Sequence, residues 1–209
     1  MNQKPDLTYN CTMRAYRTAN LNALWFLIAL CVSIFVIELV VGGYPIAVTN
    51  PVVLLLGLNT AQLSQQPWTI ISSIFVHGGF GHIIFNMISL YFLGSLLLRV
   101  ASERSFLAVF FLGGLAGNLL FVLLAPFSIG IGASGAIFAI GGALAVIVPR
   151  VPVYIFFIPI ATPLWIAIII LFFLSFLFAG IAWQAHLGGL LLGLIAGLIL
   201  KNRRQVYHF

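Results

Sequence analysis

The sequence has almost no acidic residues. Its 209 residues include three carboxylates, at Asp6, Glu38 and Glu103, and only 6% of the residues are charged. Soluble domains carry about 25% charged residues, so this chain is not organised as one. An intramembrane aspartyl protease needs two aspartates, and a proton-coupled transporter would more naturally use paired carboxylates, so both classes are disfavoured.

Cysteine is equally scarce. Cys11 lies in a polar stretch and Cys31 lies within an apolar run, and there are no others. Two such cysteines allow neither a disulfide framework nor a four-ligand zinc site. A zinc membrane protease is disfavoured as well, because the sequence has no His-Glu-x-x-His motif. We therefore expect no metal and no cofactor.

The nine basic residues form no cluster, although they give the chain a formal net charge of +6. They are scattered between apolar runs and could not follow a phosphate backbone, so nucleic acid is not expected as a partner. The first apolar run is too long for the core of a signal peptide and lacks a small-residue cleavage site. We interpret it as a retained first span.

What the chain has in abundance is apolar sequence, since 63% of its residues are hydrophobic. Six segments have the character of membrane spans. They are 21–42, 81–99, 105–124, 134–149, 163–180 and 184–200. The prediction is an all-α polytopic membrane protein with six transmembrane helices. It comprises a cytoplasmic tail (1–20), the six-helix domain (21–200) with a long membrane-associated connector (43–80), and a basic cytoplasmic tail (201–209).

The basic residues also predict the orientation of the chain in the membrane. With six spans, all nine fall on one side, and such residues mark the cytoplasmic face. They are Lys4, Arg14, Arg17, Arg99, Arg104, Arg150, Lys201, Arg203 and Arg204. We therefore expect a multi-pass protein of the cell membrane with both termini in the cytoplasm.

Four polar side chains lie deep within the predicted spans. Measured along each helix from its basic end, Ser134, His186, His82 and Asn86 lie about 20 to 26 Å in, at a rise of about 1.5 Å per residue. In a hydrocarbon core of about 30 Å they form one layer below the outer surface. Taken singly, the serine would more often cap or pack a helix, and each histidine could simply bond a neighbouring helix. Polar groups at one depth on three helices instead indicate a functional site.

Ser134 and His186 form a plausible nucleophile and base, because serine reacts once a neighbouring imidazole can take its proton. No carboxylate is available to orient the imidazole. Glu38 is predicted to lie near the outer end of the first span and to reach towards the interface. The predicted arrangement is therefore a Ser-His dyad without the third member of a triad.

His82 and Asn86 are four residues apart on one helix and therefore share a face. Both can donate hydrogen bonds, and together with the Ser134 amide they could stabilise the oxyanion of an acyl-transfer reaction. Gly132 and Gly135 beside the serine would let the backbone approach closely.

Small residues predict which helices carry the site. Gly189, Gly193 and Gly197 form a row on the last span, and Gly135, Ala139 and Ala143 form another on the fourth. Such rows permit close helix contact. Packing of the two rows would bring His186 within reach of Ser134.

Across nearly its whole length the chain resembles the rhomboid intramembrane serine proteases, in their six-span form. The motifs that carry the resemblance are Gly132-Ala-Ser134-Gly, His77 followed by His82-Ile-Ile-Phe-Asn86, and Ala185-His186-Leu-Gly-Gly189 with Gly193. The resemblance implies Ser134 as nucleophile, His186 as base, and His82 and Asn86 in the oxyanion hole. It also implies that Phe138 stacks on the His186 ring and that the connector lies partly in the membrane.

The implied function is hydrolysis of peptide bonds in or next to transmembrane segments of other membrane proteins. The expected partners are these substrates and the lipid bilayer, and the site is expected to open through a polar cavity on the extracytoplasmic side. The alternative is a catalytically silent rhomboid-like protein that binds or escorts membrane proteins. Such relatives would typically have lost the serine or the histidine, and both are present here.

Overall fold

The computed structural model describes residues 19–155, 158–177 and 180–206. Most of the predicted tail 1–20 lies outside these residues, as does the end of the tail 201–209. Several residues used in the sequence predictions fall there, namely Lys4, Asp6, Cys11, Arg14 and Arg17.

The described residues are mainly helical. The helices are α1 (Asn22–Gly42), α2 (Pro51–Leu56), α3 (Thr69–Ser72), α4 (Phe80–Val100), α5 (Glu103–Leu124), α6 (Ser134–Ile147), α7 (Leu164–Leu174) and α8 (Trp183–Val206). The strands are β1 (Leu58–Asn59), β2 (Ile129–Gly130), β3 (Pro152–Ile155) and β4 (Ile158–Pro163).

Four helices, α1, α4, α5 and α8, are long and apolar enough to cross a membrane. Two others are apolar but shorter, with 14 residues in α6 and 11 in α7. Each of the six predicted apolar segments coincides with one of these six helices. Helices of this length and composition are those of an integral membrane protein.

The helix α7 is shorter than its predicted segment, 163–180. It ends at Leu174, and residues 175–177 form a turn. The Ser175 hydroxyl donates a hydrogen bond to the Phe172 carbonyl oxygen. A side chain that bonds its own backbone in this way competes with continuation of the helix.

Two small antiparallel sheets were not part of the all-helical prediction. Strand β1 pairs with β2, and β3 pairs with β4 in a hairpin where Pro152 lies opposite Pro163. Proline lacks an amide hydrogen, so it is tolerated on edge strands such as these. The prolines that we read as interrupting the 150–163 connector therefore lie in a hairpin.

Helix α6 lies at the centre of the bundle. It contacts α4, α5, α7 and α8, and most of its residues are buried. Ala136, Ala139 and Ala143 are all fully buried. A central helix made largely of small residues lets its neighbours approach closely. Ser134 is the first residue of this helix.

The predicted contact between the α6 and α8 rows is confirmed. The α8 row, Gly189, Gly193 and Gly197, lies on the backbone of the α6 row, Gly135, Ala139 and Ala143. Even at the loosest of these contacts, a Cβ added to Gly197 would lie only 2.7 Å from the Ala143 carbonyl oxygen. The two helices could not pack at this distance if the glycines carried side chains.

The connector 43–80 is folded and is attached to the bundle. The Trp68 Nε1 donates a hydrogen bond of 2.9 Å to the Leu55 carbonyl oxygen. From α5, the Asn118 amide donates to the Ile70 carbonyl oxygen at 2.8 Å and to Ser73 Oγ at 3.0 Å. These bonds hold the chain that leads into α4.

Candidate active site

Ser134 is the first residue of α6 and follows a tight glycine turn. Gly132 has φ of +113°, a conformation that side-chain-bearing residues rarely adopt. Its N–H donates to the Ser73 carbonyl oxygen at 2.8 Å, and a Cβ there would lie 2.5 Å from His82 Nε2. Only glycine fits, and the turn directs Ser134 towards α4 and α8.

The Ser134 and His186 side chains are hydrogen-bonded. His186 Nε2 lies 2.8 Å from Ser134 Oγ, and the imidazole is 7% exposed. The Phe138 ring stacks on the imidazole at 4.5 Å between centroids, as the resemblance implies. Among the described residues His186 Nδ1 has no hydrogen-bond partner. The arrangement is thus a pair of side chains with an aromatic support in the place of a carboxylate.

His82 and Asn86 lie one turn apart on α4. His82 Nδ1 accepts a hydrogen bond of 3.3 Å from the Gly78 N–H. A ring nitrogen that accepts carries no hydrogen, so a neutral His82 has its hydrogen on Nε2, the nitrogen beside Gly132. The Asn86 amide donates to the His82 carbonyl oxygen at 2.8 Å, and this side chain is 5% exposed.

These four side chains meet at one cavity of about 540 Å³, which is lined by Ser134, His186, His82 and Asn86 together with glycines of the neighbouring loops. A second cavity of about 470 Å³ adjoins it and is mostly apolar. Three of the four also line this second cavity, with α7 on its far side. The structure therefore brings together residues that lie far apart in the sequence.

The supporting residues lie around this group. Gly135 and Gly189 form the closest contact between α6 and α8. His77 is fully buried just before α4, and its ring packs edge-on against His82 at 5.1 Å. Burial, with a smaller effect of His82, lowers the pKa of His77 to about 3. His77 is therefore neutral, and it contacts the site through the His82 ring.

The prediction for Glu38 is wrong. Its side chain does not reach the interface but is fully buried, and Oε1 accepts a hydrogen bond of 3.1 Å from the His77 N–H. The prediction failed because the sequence shows only that Glu38 lies near the end of an apolar helix. No local sequence pattern indicates that the connector folds over this side chain.

Two further contacts were also missed, those of Ser73 and Asn118. Ser73 holds the Gly132 turn through its carbonyl oxygen, and Asn118 holds Ser73. These contacts join residues about 45 to 60 positions apart, so no spacing in the sequence points to them. Within the ranges 19–155, 158–177 and 180–206, no three His, Cys, Asp or Glu side chains are grouped to hold a metal ion.

Residues 64–203 match the family model of the Rhomboid domain. The chain belongs to the rhomboid family. The matched segment contains the two histidines of the site, Asn86 and Ser134, and the rhomboid match agrees with the apolar helices in making this a membrane protein.

Three rhomboid relatives show the range of similarity. The putative rhomboid protease YdcA of Bacillus subtilis is 28% identical over 163 residues, covering 71% of this chain and 75% of the relative. The rhomboid protease GluP of Bacillus subtilis is 30% identical over 142 residues, covering 68% and 28%. The RHOMBOID-like protein 4 of Arabidopsis thaliana is 30% identical over 143 residues, covering 66% and 35%. The chain thus spans about a third of the length of two of these rhomboids.

Proposed function

We propose that this rhomboid is an intramembrane serine protease that hydrolyses peptide bonds in or next to transmembrane segments of other membrane proteins. The observation that carries the proposal is the 2.8 Å hydrogen bond between Ser134 Oγ and His186 Nε2, two residues that line the same cavity. Relatives that are named as rhomboid proteases support the same class of reaction.

The proposed reaction begins when His186 Nε2 takes the Ser134 proton as Oγ attacks the substrate carbonyl carbon. The tetrahedral intermediate then collapses, the peptide C–N bond breaks, and the imidazolium returns its proton to the leaving amine. A water molecule repeats the attack on the acyl-enzyme with the same base and releases the acid. Phe138 keeps the imidazole in the plane that both transfers need.

The negative charge of the tetrahedral intermediate needs donors that are already in place. His82 Nε2–H and the Asn86 amide line the cavity beside Ser134, and the Ser134 N–H is in the first turn of α6. Amides of a first helical turn have no acceptor within the helix, and the helix dipole favours an anion there. We assign these three groups to the oxyanion hole.

We further propose that α6 and α7 complete a six-span topology with both termini in the cytoplasm. Arg99 and Arg104 flank the α4–α5 turn, Arg150 follows α6, and Lys201 lies in the last turns of α8. Ser134 and His186 lie at the opposite ends of α6 and α8. The cavity would then open on the extracytoplasmic side, from which water can reach the site.

Labelling with a serine-directed fluorophosphonate tests the dyad. The purified protein should be labelled, whereas Ser134→Ala and His186→Ala should not be. Ser95→Ala is the matched control, since Ser95 lies on α4 outside both cavities and bonds only its own helix at Phe92. Labelling that persists in Ser134→Ala would contradict the proposal.

Cleavage of a panel of single-span membrane proteins in liposomes tests the substrate class. The wild-type protein should cut at least one of them within or beside its span, and the Ser134→Ala variant should cut none. If the wild type is neither labelled nor active while it binds members of the panel, the chain is instead a silent rhomboid-like binding protein.

A further inference from the structure

Among the described residues, Glu38 is the carboxylate that lies in the interior of a long apolar helix, whereas Glu103 is the first residue of α5; the Glu38 side chain is fully buried. A carboxyl group in such a place is expensive and usually has a function. The proposed reaction does not use it, since Glu38 does not line either cavity. Its contacts indicate another role.

The Glu38 side chain holds the chain just before α4. Its Oε1 accepts from the His77 N–H at 3.1 Å, and Oε2 has no partner among the described residues. The Glu38 carbonyl oxygen accepts from the Asn50 amide at 2.9 Å, and Asn50 in turn caps α2 through the Val52 N–H. Glu38 thus ties α1 to the start of α2 and to the end of the connector.

The residue after His77 contacts the proposed oxyanion hole directly. The Gly78 N–H donates to His82 Nδ1 at 3.3 Å, and this bond sets the hydrogen of a neutral His82 on Nε2. Residues 78 and 79 are both glycine and have no side chains to hold them, and Gly79 has φ of +157°. The Gly78 amide therefore depends on its neighbours for its position, with α4 on one side and His77 on the other.

We propose that Glu38 is a positioning residue for the oxyanion hole. Glu38 accepts a hydrogen bond from the His77 N–H and thereby holds the adjacent Gly78 amide against His82 Nδ1. This contact keeps the hydrogen of His82 on Nε2, directed at the site. The proposal rests on the function proposed above. It requires only a hydrogen-bond acceptor at Oε1, which a protonated or an ionised carboxyl group supplies equally.

The test compares Glu38→Met, which removes the acceptor at similar size, with Glu38→Gln, which keeps an acceptor oxygen. The measurement is the rate of fluorophosphonate labelling as a function of probe concentration. We expect Glu38→Met to lower the saturating rate about 10- to 100-fold, a part of the effect of losing an oxyanion donor, with little change in the half-saturating concentration. Glu38→Gln should stay within about threefold of wild type. The control is Ile37→Met, an exposed α1 residue, which should leave the rate unchanged.

A double mutant separates positioning from a general structural effect. If Glu38 acts through His82, then Glu38→Met should lower the rate further by less than about twofold in a His82→Ala background. Losses that multiply would overturn the proposal. If Glu38→Met does not fold, Glu38→Gln decides alone, because a tenfold loss in that variant would show that an acceptor at this position is not sufficient.

A spectroscopic readout keeps the two proposals apart. The ¹⁵N NMR shifts of labelled His82 should report hydrogen on Nε2 in the wild type and a mixture of tautomers in Glu38→Met. The same tautomer in both variants would overturn the positioning role, even in an active enzyme. If the wild type is never labelled by the probe, the proposed function fails, and the tautomer measurement still tests the contact between Gly78 and His82.

Discussion

Replacing Asn86 by leucine should lower the activity about 10²- to 10³-fold without destabilising the protein. Asn86 is 5% exposed, and its amide donates to the His82 carbonyl oxygen. That oxygen lies one helical turn earlier in α4, where the Asn86 backbone N–H also bonds it. Loss of the side chain therefore leaves no helix carbonyl without a partner.

The effect of this substitution on the free energy of unfolding depends on the oxygen of the Asn86 side-chain amide. The Asn86 Oδ1 is buried and has no partner among the described residues. A buried acceptor without a bond costs about 1–3 kcal/mol, whereas a typical hydrogen bond contributes about 0.5–1.5 kcal/mol. Asn86→Leu removes both, and the adjoining cavity has room for the larger side chain. We expect the free energy of unfolding to stay within about 1 kcal/mol of wild type or to rise.

The effect on activity should be large. Loss of one oxyanion donor costs about 10²–10³-fold in rate, or about 2.7–4 kcal/mol of transition-state stabilisation. The assays are fluorophosphonate labelling for the rate and unfolding in mixed detergent for stability, on the same samples. A variant that keeps its rate within about tenfold, or that loses more than about 2 kcal/mol of stability, would refute the reasoning.

Asn118→Leu is the matched control, because Asn118 is also buried but its amide bonds Ile70 and Ser73 of the connector. Its loss removes a partner from the buried Ser73 hydroxyl and from the half-buried Ile70 carbonyl oxygen, so it should lower the unfolding free energy by about 2–3 kcal/mol. The free energy of unfolding should thus stay close to wild type or rise in Asn86→Leu and fall in Asn118→Leu.

Three further changes and one control substitution test the packing around the site. Gly193→Leu would overlap the α6 backbone and should cost about 1–3 kcal/mol or more in detergent unfolding; Gly81→Ala, where an added Cβ meets nothing within 4 Å, should be neutral. Phe138→Leu removes the ring stacked on His186, an interaction worth about 0.5–1.5 kcal/mol, so the free energy of unfolding should fall by about that amount and the labelling rate by no more than about 13-fold. Gly132→Ala must adopt a positive φ with its Cβ against His82, so it should lose labelling, and a fully active variant would contradict the assigned turn.

Local features of the sequence were enough to locate the helices. Apolar runs of about 20 residues and glycine turns each act within a few residues, and the six predicted segments coincide with six helices. The ends were less predictable, as α7 shows. There the Ser175 hydroxyl bonds the Phe172 carbonyl oxygen and the backbone of 175–177 forms a turn, so the helix stops before the end of the apolar run.

The glycine rows allowed a tertiary contact to be predicted from the sequence. Four-residue spacing puts Gly189, Gly193 and Gly197 on one face, and only another small-residue row can meet such a face closely. The prediction that α8 packs on α6 was confirmed for this reason, and the 2.8 Å approach of His186 to Ser134 is its consequence.

The connector is where sequence reasoning had least to work with. It has no apolar period and no charge, so nothing in it indicated that it would fold over Glu38, pair β1 with β2, or hold Gly132 through Ser73. The wrong prediction for Glu38 follows directly, because a carboxylate near a helix end is expected to reach water unless another segment covers it.

The sequence by itself determined which segments are apolar, which polar groups lie among them, and which helix faces are small enough to touch, because these are properties of residues at fixed local spacing. The tertiary structure alone decided which backbone amide donates a hydrogen bond to the Glu38 carboxyl group and which ring nitrogen of His82 carries the hydrogen. Those depend on hydrogen bonds between residues far apart in the chain, and such bonds form only once the helices and the connector are already packed.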